Sequence, residues 1–371
     1  MQNLFTRFNF LKTIAAFVII SSLPFNGRSQ TSFSGLEPLF ITPKGYTTVF
    51  TSLPPEIDGD ITDKIWEQAR WSDLFQDIEG GKKAAPEHST RVRMLWDKSY
   101  LYIAAELQEP HIWGGLKNHD DIIYYDNDFE VFIDPANSTH NYFEIEVNAL
   151  NTVLDLFIPK PYRNNGPILM SWDAPGLRAK VKINGTLNNP GDTDKSWTVE
   201  MAIPFKAVSL GNNVRVPREG DLWRVNFSRV QWETEIKAGS YVKKKDSQGK
   251  SLPEHNWVWS PQGVINMHYP ERWGYLQFAM KDFPDSTSSF QLPGKEKLKN
   301  YLWLVYYRQK EFYQKNRSYA SSLAELGIVP DISFQDKVVK LEMKSTGTQF
   351  KATIKSDISN PISINHDGFI Q

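Results

Sequence analysis

Between Thr47 and Met280 the chain is built of short runs whose apolar residues recur at every second position, separated by Gly, Pro, Asn and Asp. A strand sends successive side chains to opposite faces, so this period predicts half-buried β-strands. The run "RVRMLWDKSYLYIAAEL" reads as a hairpin. Val92, Met94 and Trp96 alternate before a turn at Asp97, Lys98 and Ser99, and Leu101, Ile103 and Ala105 continue the core positions after it. Further strands are predicted at "DFEVFID", "YFEIEVNAL", "VLDLFI", "LRAKVKIN", "WTVEMAIP", "LWRVNFSRVQW" and "RWGYLQF". Their number and spacing predict a mainly β protein, an antiparallel β-sandwich of jelly-roll type.

One early helix interrupts the pattern. In "DGDITDKIWEQARW", Thr62 is the expected N-cap, and Ile65, Trp66 and Ala69 share a helical face. Asp58, Asp60 and Asp63 resemble calcium-loop ligands, but the sixth position from Asp58 is Asp63 rather than Gly and the twelfth is Ala69, so helix capping is the better reading.

The ends differ from the middle. Residues 1–30 combine Arg7 and Lys12 with the apolar run "FLKTIAAFVIISSLPF", the composition of a signal peptide, and no later stretch reads as a transmembrane anchor. The chain is therefore expected to be exported, to the periplasm or beyond. Residues 31–282 hold the sandwich, and the Pro- and Ser-rich residues 283–293 read as a linker. Residues 294–371 form a small α+β appendage: Leu298, Leu302, Val305 and Phe312 fall at helical spacing, "SLAELG" is a short helix stopped by Gly327, and "KVVKLEM" and "TQFKATIKS" form a hairpin through Gly347. The appendage is expected to dock on the sandwich, and its sequence points to no ligand and leaves any protein partner unknown.

Cysteine is absent, which excludes disulfides, thiol catalysis and thiolate metal sites. A formal net charge of -1 gives no electrostatic reason to expect nucleic acid as a partner.

The chemistry concentrates in "DIIYYDNDFEVFIDPANSTHNYFEIEVNALNTVLDL". The period of two sends Phe129, Val131, Ile133, Phe143, Ile145 and Val147 to one side. If the two strands pair, Glu130, Glu144, Glu146 and Asn148 share the other. Acids and amides beside aromatic rings suit a sugar, whose hydroxyls donate to carboxylates while ring planes cover its apolar faces. Equally, an antiparallel sheet often leaves one face to solvent, and alternating acids then only confer solubility.

Six segments, "IDGDITDKIW", "RMLWDKSYLYIAAEL", "YYDNDFEVFIDP", "FEIEVNALNTVLDL", "WTVEMAIPF" and "PERWGYLQF", occur in the order seen in family 9 carbohydrate-binding modules, which this chain resembles from about Thr47 to Phe278. The resemblance implies a β-sandwich with structural calcium that recognises a polysaccharide or its fragments between two aromatic side chains. It places the first aromatic clamp at Tyr125, a sugar-contacting acid at Glu130 and a contacting amide at Asn148, with Glu146 where the family pattern is basic. It brings Ser228 to another contact position, with Arg229 beside it pointing to the core unless a bulge re-aims it. The second clamp falls around Met267 and His268, where no Trp stands. Calcium is expected among Asp126, Asp128 and Asp134, set beside turns with Asp120 and Asp121, although turn capping explains such acids equally well.

Other chemistries compete with sugar binding. Glu130 and Glu146 suggest a glycoside hydrolase acting on plant-type polysaccharide. Met94, Met201, Met267, His88 and His268 are haem ligands in type, though strand methionines usually fill a core. A surface interaction protein without glycan affinity is a third reading. His111, His119 and His140 lack zinc-site spacing and read as surface residues. Trp113, Trp232, Trp257 and Trp259 are either sugar platforms or core. No phosphate loop, nucleophile elbow or HExxH motif is present.

Overall fold

A computed structural model describes residues 33–280, 290–356 and 359–371, so the expected signal segment, residues 1–30, lies outside the described residues, as does most of the expected linker. The larger sheet is formed by β1 (Gly45–Phe50), β2 (Gln76–Asp77), β3 (Thr90–Trp96), β4 (Tyr100–Gln108), β5 (Asp128–Asp134), β6 (Tyr142–Asn148), β7 (Val153–Ile158), β8 (Arg178–Asn184), β9 (Ser196–Pro204) and β10 (Leu222–Gln231). A hairpin excursion, β11 (Thr234–Lys237) and β12 (Ser240–Lys243), precedes β13 (His255–Val258) and β14 (Gly274–Ala279). The main path runs β7-β6-β5-β10-β14-β1-β3-β4-β9-β8, with β13 and β2 paired off β10.

The sheet turns over on itself at β1, so its two halves face each other as a β-sandwich. Val92, Met94, Trp96, Leu101, Ile103 and Ala105 from one half meet Phe129, Val131, Ile133, Phe143, Ile145, Val147 and Phe227 from the other in one buried core. The expected inward parity of β3 to β6 is thus observed, as is the pairing of β5 with β6. The junction differs from an all-antiparallel reading: β1 pairs parallel with both β14 and β3. Periodicity fixes which face a residue takes but not the direction of its neighbour.

Both outer faces carry a further layer. Trp66, Ile61, Val49, Leu95, Tyr102 and Ala202 pack on one. On the other, Phe132, Tyr142, Leu154, Leu156 and Ile158 are covered by Ile123, Met267 and Trp273. The early helix is a short 3-10 turn, Lys64–Gln68, preceded by Asp63 rather than Thr62. Thr62 does not cap it; its hydroxyl donates to Asp60. The turn is anchored instead by Trp66, whose indole Nε1 donates to Glu200 Oε1 at 2.6 Å.

In the C-terminal part, α1 (Gly294–Asn316) buries Leu298, Leu302 and Val305 against a second sheet, β15 (Asp331–Phe334), β16 (Lys337–Ser345), β17 (Phe350–Ser356) and β18 (Ser359–Asn365), in that order. Gly327 ends a short 3-10 turn in the left-handed region, at φ 67°, as its sequence position suggested. The foreseen hairpin is β16 and β17. The flanking β15 and β18 escaped notice because one spans four residues and the other contains Pro361, which suits an edge.

Phe129 is fully buried and stacks on Phe227 at 5.9 Å between ring centres, at the middle of the interior. Phe129→Ala should cost about 3–5 kcal/mol, read as a lower denaturant midpoint with unchanged slope.

Candidate functional site

The polar sides of β5, β6 and β10 come together on one outer face. Glu130 sits opposite Glu146 on β6 and opposite Ser228 on β10, while Glu144 faces Phe132 and Asn148 faces Asp128. These acids are not a solvated face. Glu130, Glu144 and Glu146 are only 4–5% exposed and Asp128 is fully buried. The loop before β5 and the segments at Tyr162 and Met267–Trp273 lie across them, which is why the solubility reading of the alternation fails.

Few donors compensate the burial. The backbone N–H of Tyr124 donates to Glu146 Oε2 at 3.1 Å and that of Val230 to Asp128 Oδ1 at 3.1 Å. Asp128 Oδ2 and Glu144 Oε2 have no hydrogen-bond partner, and the Ser228 hydroxyl offsets only part of the burial of Glu130. Loss of hydration therefore pushes every one of these carboxyls upward: Glu130 to about 7, Glu144 to about 8, and Glu146 and Asp128 well above the ordinary range. Repulsion from Glu130 adds to the shift at the other three. At neutral pH the cluster holds protons, and its oxygens become a set of donors and acceptors suited to hydroxyl groups.

Aromatic groups flank the acids on two sides. On one, Tyr125 is half exposed and its ring centre lies 4.5 Å from that of Tyr124. Trp232 Nε1 donates to the Tyr124 carbonyl at 2.8 Å, and Lys243 Nζ stands 3.3 Å from the Trp232 ring and 5.4 Å from Tyr125. Burial holds the Lys243 ammonium below its usual range. On the other side, the Tyr162 ring lies against that of His268, 3.9 Å between centres and tilted by 37°, and His268 Nδ1 lies 3.1 Å from the Tyr142 hydroxyl. Desolvation pushes His268 down to about 3, so its ring is neutral.

Not every expected residue belongs to this group. Tyr125, Glu130, Glu146, Ser228 and His268 converge on it. Asn148 adjoins it, but its amide is fully engaged: Nδ2 donates to Leu116 O and Asp126 Oδ2, and Oδ1 accepts from Leu150 and Thr152 N–H groups. Arg229 points into the sandwich, with no bulge to re-aim it, and pairs with Glu109 at 2.8 Å, Thr90 and Gln231. Asp126 accepts from Gly115 and Leu116 N–H, and Asp134 from Ala136, Ser138 and Thr139. Asp134 also lies at the far end of β5 from Asp128, about 20 Å along a strand of this rise, so the three aspartates form no common cation site. A different trio, Asp128, Glu130 and Glu146, brings oxygens within 4.8 Å of one another, a donor set suited to a hard cation.

Sequence reasoning placed Glu144 on this face but gave it no role, and missed Tyr124, Tyr162 and Lys243. Glu144 follows from parity alone. Lys243 carried no signal, because it arrives on the β11–β12 excursion. Met94 and Met201 are fully buried in the core and Trp257 and Trp259 nearly so; Trp232 reaches the rim, and Trp113 is half-buried.

Residues 57–252, more than half of the chain, match the carbohydrate family 9 binding domain-like family. The chain belongs to this family. Among solved structures, it is similar to a candidate carbohydrate-binding protein from Bacteroides uniformis, at 14% identity over 64% of this chain and 100% of that one, with a TM-score of 0.46. It is also similar to a family 9 carbohydrate-binding module from Caldicellulosiruptor kristjanssonii, solved with cellotriose and with glucose, at 16% identity over 67% and 66% of this chain and all of the other, with a TM-score of 0.39 in both cases. No curated protein matches it. The assignment rests on the family match and places Glu130, Glu144 and Glu146 within the matched span.

Because the folded family 9 domain retains protons that an unfolded chain has already lost, its stability should fall as pH rises from about 4.5, the ordinary glutamate value, to about 8. The slope is about 1.4 kcal/mol per pH unit for each retained proton. Urea denaturation across this window should show the decline in the unliganded protein, and Glu144→Gln should flatten it.

Proposed function

We propose that this protein is an exported, noncatalytic carbohydrate-binding protein that holds a polysaccharide or its oligosaccharide fragments at the acidic face of β5 and β6. Family membership supports the class of ligand. The observation that carries the site is the convergence of Glu130, Glu144 and Glu146, nearly stripped of water and short of donors, between two aromatic groups. A sugar supplies what such a face lacks: hydroxyl donors for the free oxygens and apolar ring faces for Tyr125 and Tyr162. The signal-like composition of residues 1–30 supports export. Among the described residues no helix is long and apolar enough to cross a membrane. The division into residues 31–282 for binding and 294–371 as an appendage follows the change of composition at 283–293.

Calcium is proposed as an accessory ion that would displace the protons of Asp128, Glu130 and Glu146, its oxygen donors now these three rather than the set expected from sequence.

Hydrolysis is the weaker alternative. Glu130 and Glu146 are close enough for a retaining pair, but a glycosidase divides labour between an acid and an ionised carboxylate, and here burial raises both together.

Purified protein should bind at least one member of a panel of plant and microbial polysaccharides, with and without calcium, and release no reducing ends. Tyr125→Ala and Glu130→Gln should each weaken binding at least tenfold, about 1.4 kcal/mol. Absence of binding to every glycan would reject the proposal, and sugar release abolished by Glu130→Gln would replace it with the hydrolase.

A further inference from the structure

We propose that His119, Asp120, Asp155 and Asp173 form a binding site for one divalent first-row transition cation, zinc or manganese, on the loop that leads to Tyr124 and Tyr125. His119 Nδ1 lies 3.0 Å from the Val153 carbonyl, which can only accept, so Nδ1 carries the hydrogen and Nε2 of the neutral ring presents a lone pair. Three carboxylate oxygens surround that lone pair: Asp173 Oδ1 at 3.0 Å, Asp120 Oδ1 at 3.6 Å and Asp155 Oδ1 at 3.7 Å. Four acceptors facing one another repel unless something positive lies among them.

The carboxylates are not merely surface charge. The Asp155 side chain is 2% exposed, its Oδ2 takes the Ala174 N–H, and its Oδ1 has no hydrogen-bond partner. Asp120 Oδ1 is likewise buried and unpartnered. All four donor atoms lie within 4.8 Å of one another. Ligand atoms about 2.1 Å from a tetrahedral centre stand roughly 3.4 Å apart, and the three separations from Nε2 bracket that value. The imidazole nitrogen favours zinc, the three carboxylates also admit manganese, and calcium takes oxygen ligands.

The ligands come from three segments: the turn at 119–120, β7, and the stretch after it at Asp173. Asp121 organises the first by accepting from the Lys117 and Asn118 N–H groups. A bound cation would tie the approach to Tyr124 and Tyr125 to the sheet, so the sequence expectation that His119 is only a surface residue is replaced by one in which its half-exposed ring closes a site over a buried acid. The competing occupant is a proton on Nε2, favoured first by the hydrogen bond that Nε2–H would donate to Asp173 Oδ1.

The test is metal retention, which is independent of any glycan. Chelator-stripped protein is dialysed at pH 7.5 against equimolar zinc, manganese and calcium, and bound metal is counted by mass spectrometry. One equivalent of zinc or manganese is expected, with a higher melting temperature in its presence. His119→Gln and Asp173→Asn, both at exposed side chains, should weaken retention at least tenfold while keeping the metal-free melting temperature. Retention of neither metal by the native chain, equal retention by both variants, or occupancy by calcium alone would each overturn the proposal.

Discussion

The structure depends on burying both halves of a two-residue repeat. The apolar half of β5 and β6 fills the sandwich interior, as any half-buried strand would. The polar half is covered as well, by the loop ending at Tyr125 and by the segments bearing Tyr162 and His268. Carboxyls so placed cannot all remain charged, since removing an unpaired charge from water costs more than a fold of ordinary stability can absorb. They keep protons instead, and a surface that would have repelled a polar ligand's oxygens becomes one able to exchange hydrogen bonds with them.

The C-terminal element bears on this arrangement from outside. Tyr307 donates to Glu271 Oε1 at 2.6 Å, Arg163 pairs with Glu271 Oε2 at 2.9 Å, and Tyr306 donates to Asn164 Oδ1 at 3.0 Å. Arg163 also lies over the rings of Tyr269 and Trp303. These contacts fix the chain just after Tyr162 and just beyond His268, so α1 buttresses one aromatic flank of the site. Further along, the Thr139 hydroxyl donates to Gly368 O at 2.7 Å, and Lys299 Nζ to Asn137 O at 3.3 Å, tying the β5–β6 turn to the same element.

What could be read in the sequence was whatever depends on local period. The hairpin of β3 and β4, the inward parity of Phe129 to Val147 and the core face of α1 all follow from spacing, and the structure has them. What could not be read depends on layers added later. The alternation of Glu130, Glu144 and Glu146 is the same whether a loop covers them or water does. Arg229 followed parity into the core, but its salt bridge with Glu109 joins residues 120 positions apart. Asn148 looked like a ligand contact because amides suit sugars, yet its four hydrogen bonds serve the turn after β6 and the loop before β5. His119 gave no metal spacing because its companions Asp155 and Asp173 lie far along the chain, brought near only by the pairing of the loop with β7.

The central claim is that Glu130, Glu144 and Glu146 stay protonated where ordinary glutamates do not, and that a carbohydrate ligand engages them. Carbon-13 NMR of the side-chain carboxyl groups, followed through a pH titration with and without a bound oligosaccharide, measures this directly. The account predicts three carboxyl resonances that titrate well above the bulk of the glutamates and move when the sugar binds. Titration of all glutamates together near the ordinary value, with no response at these three to a bound sugar, would contradict it.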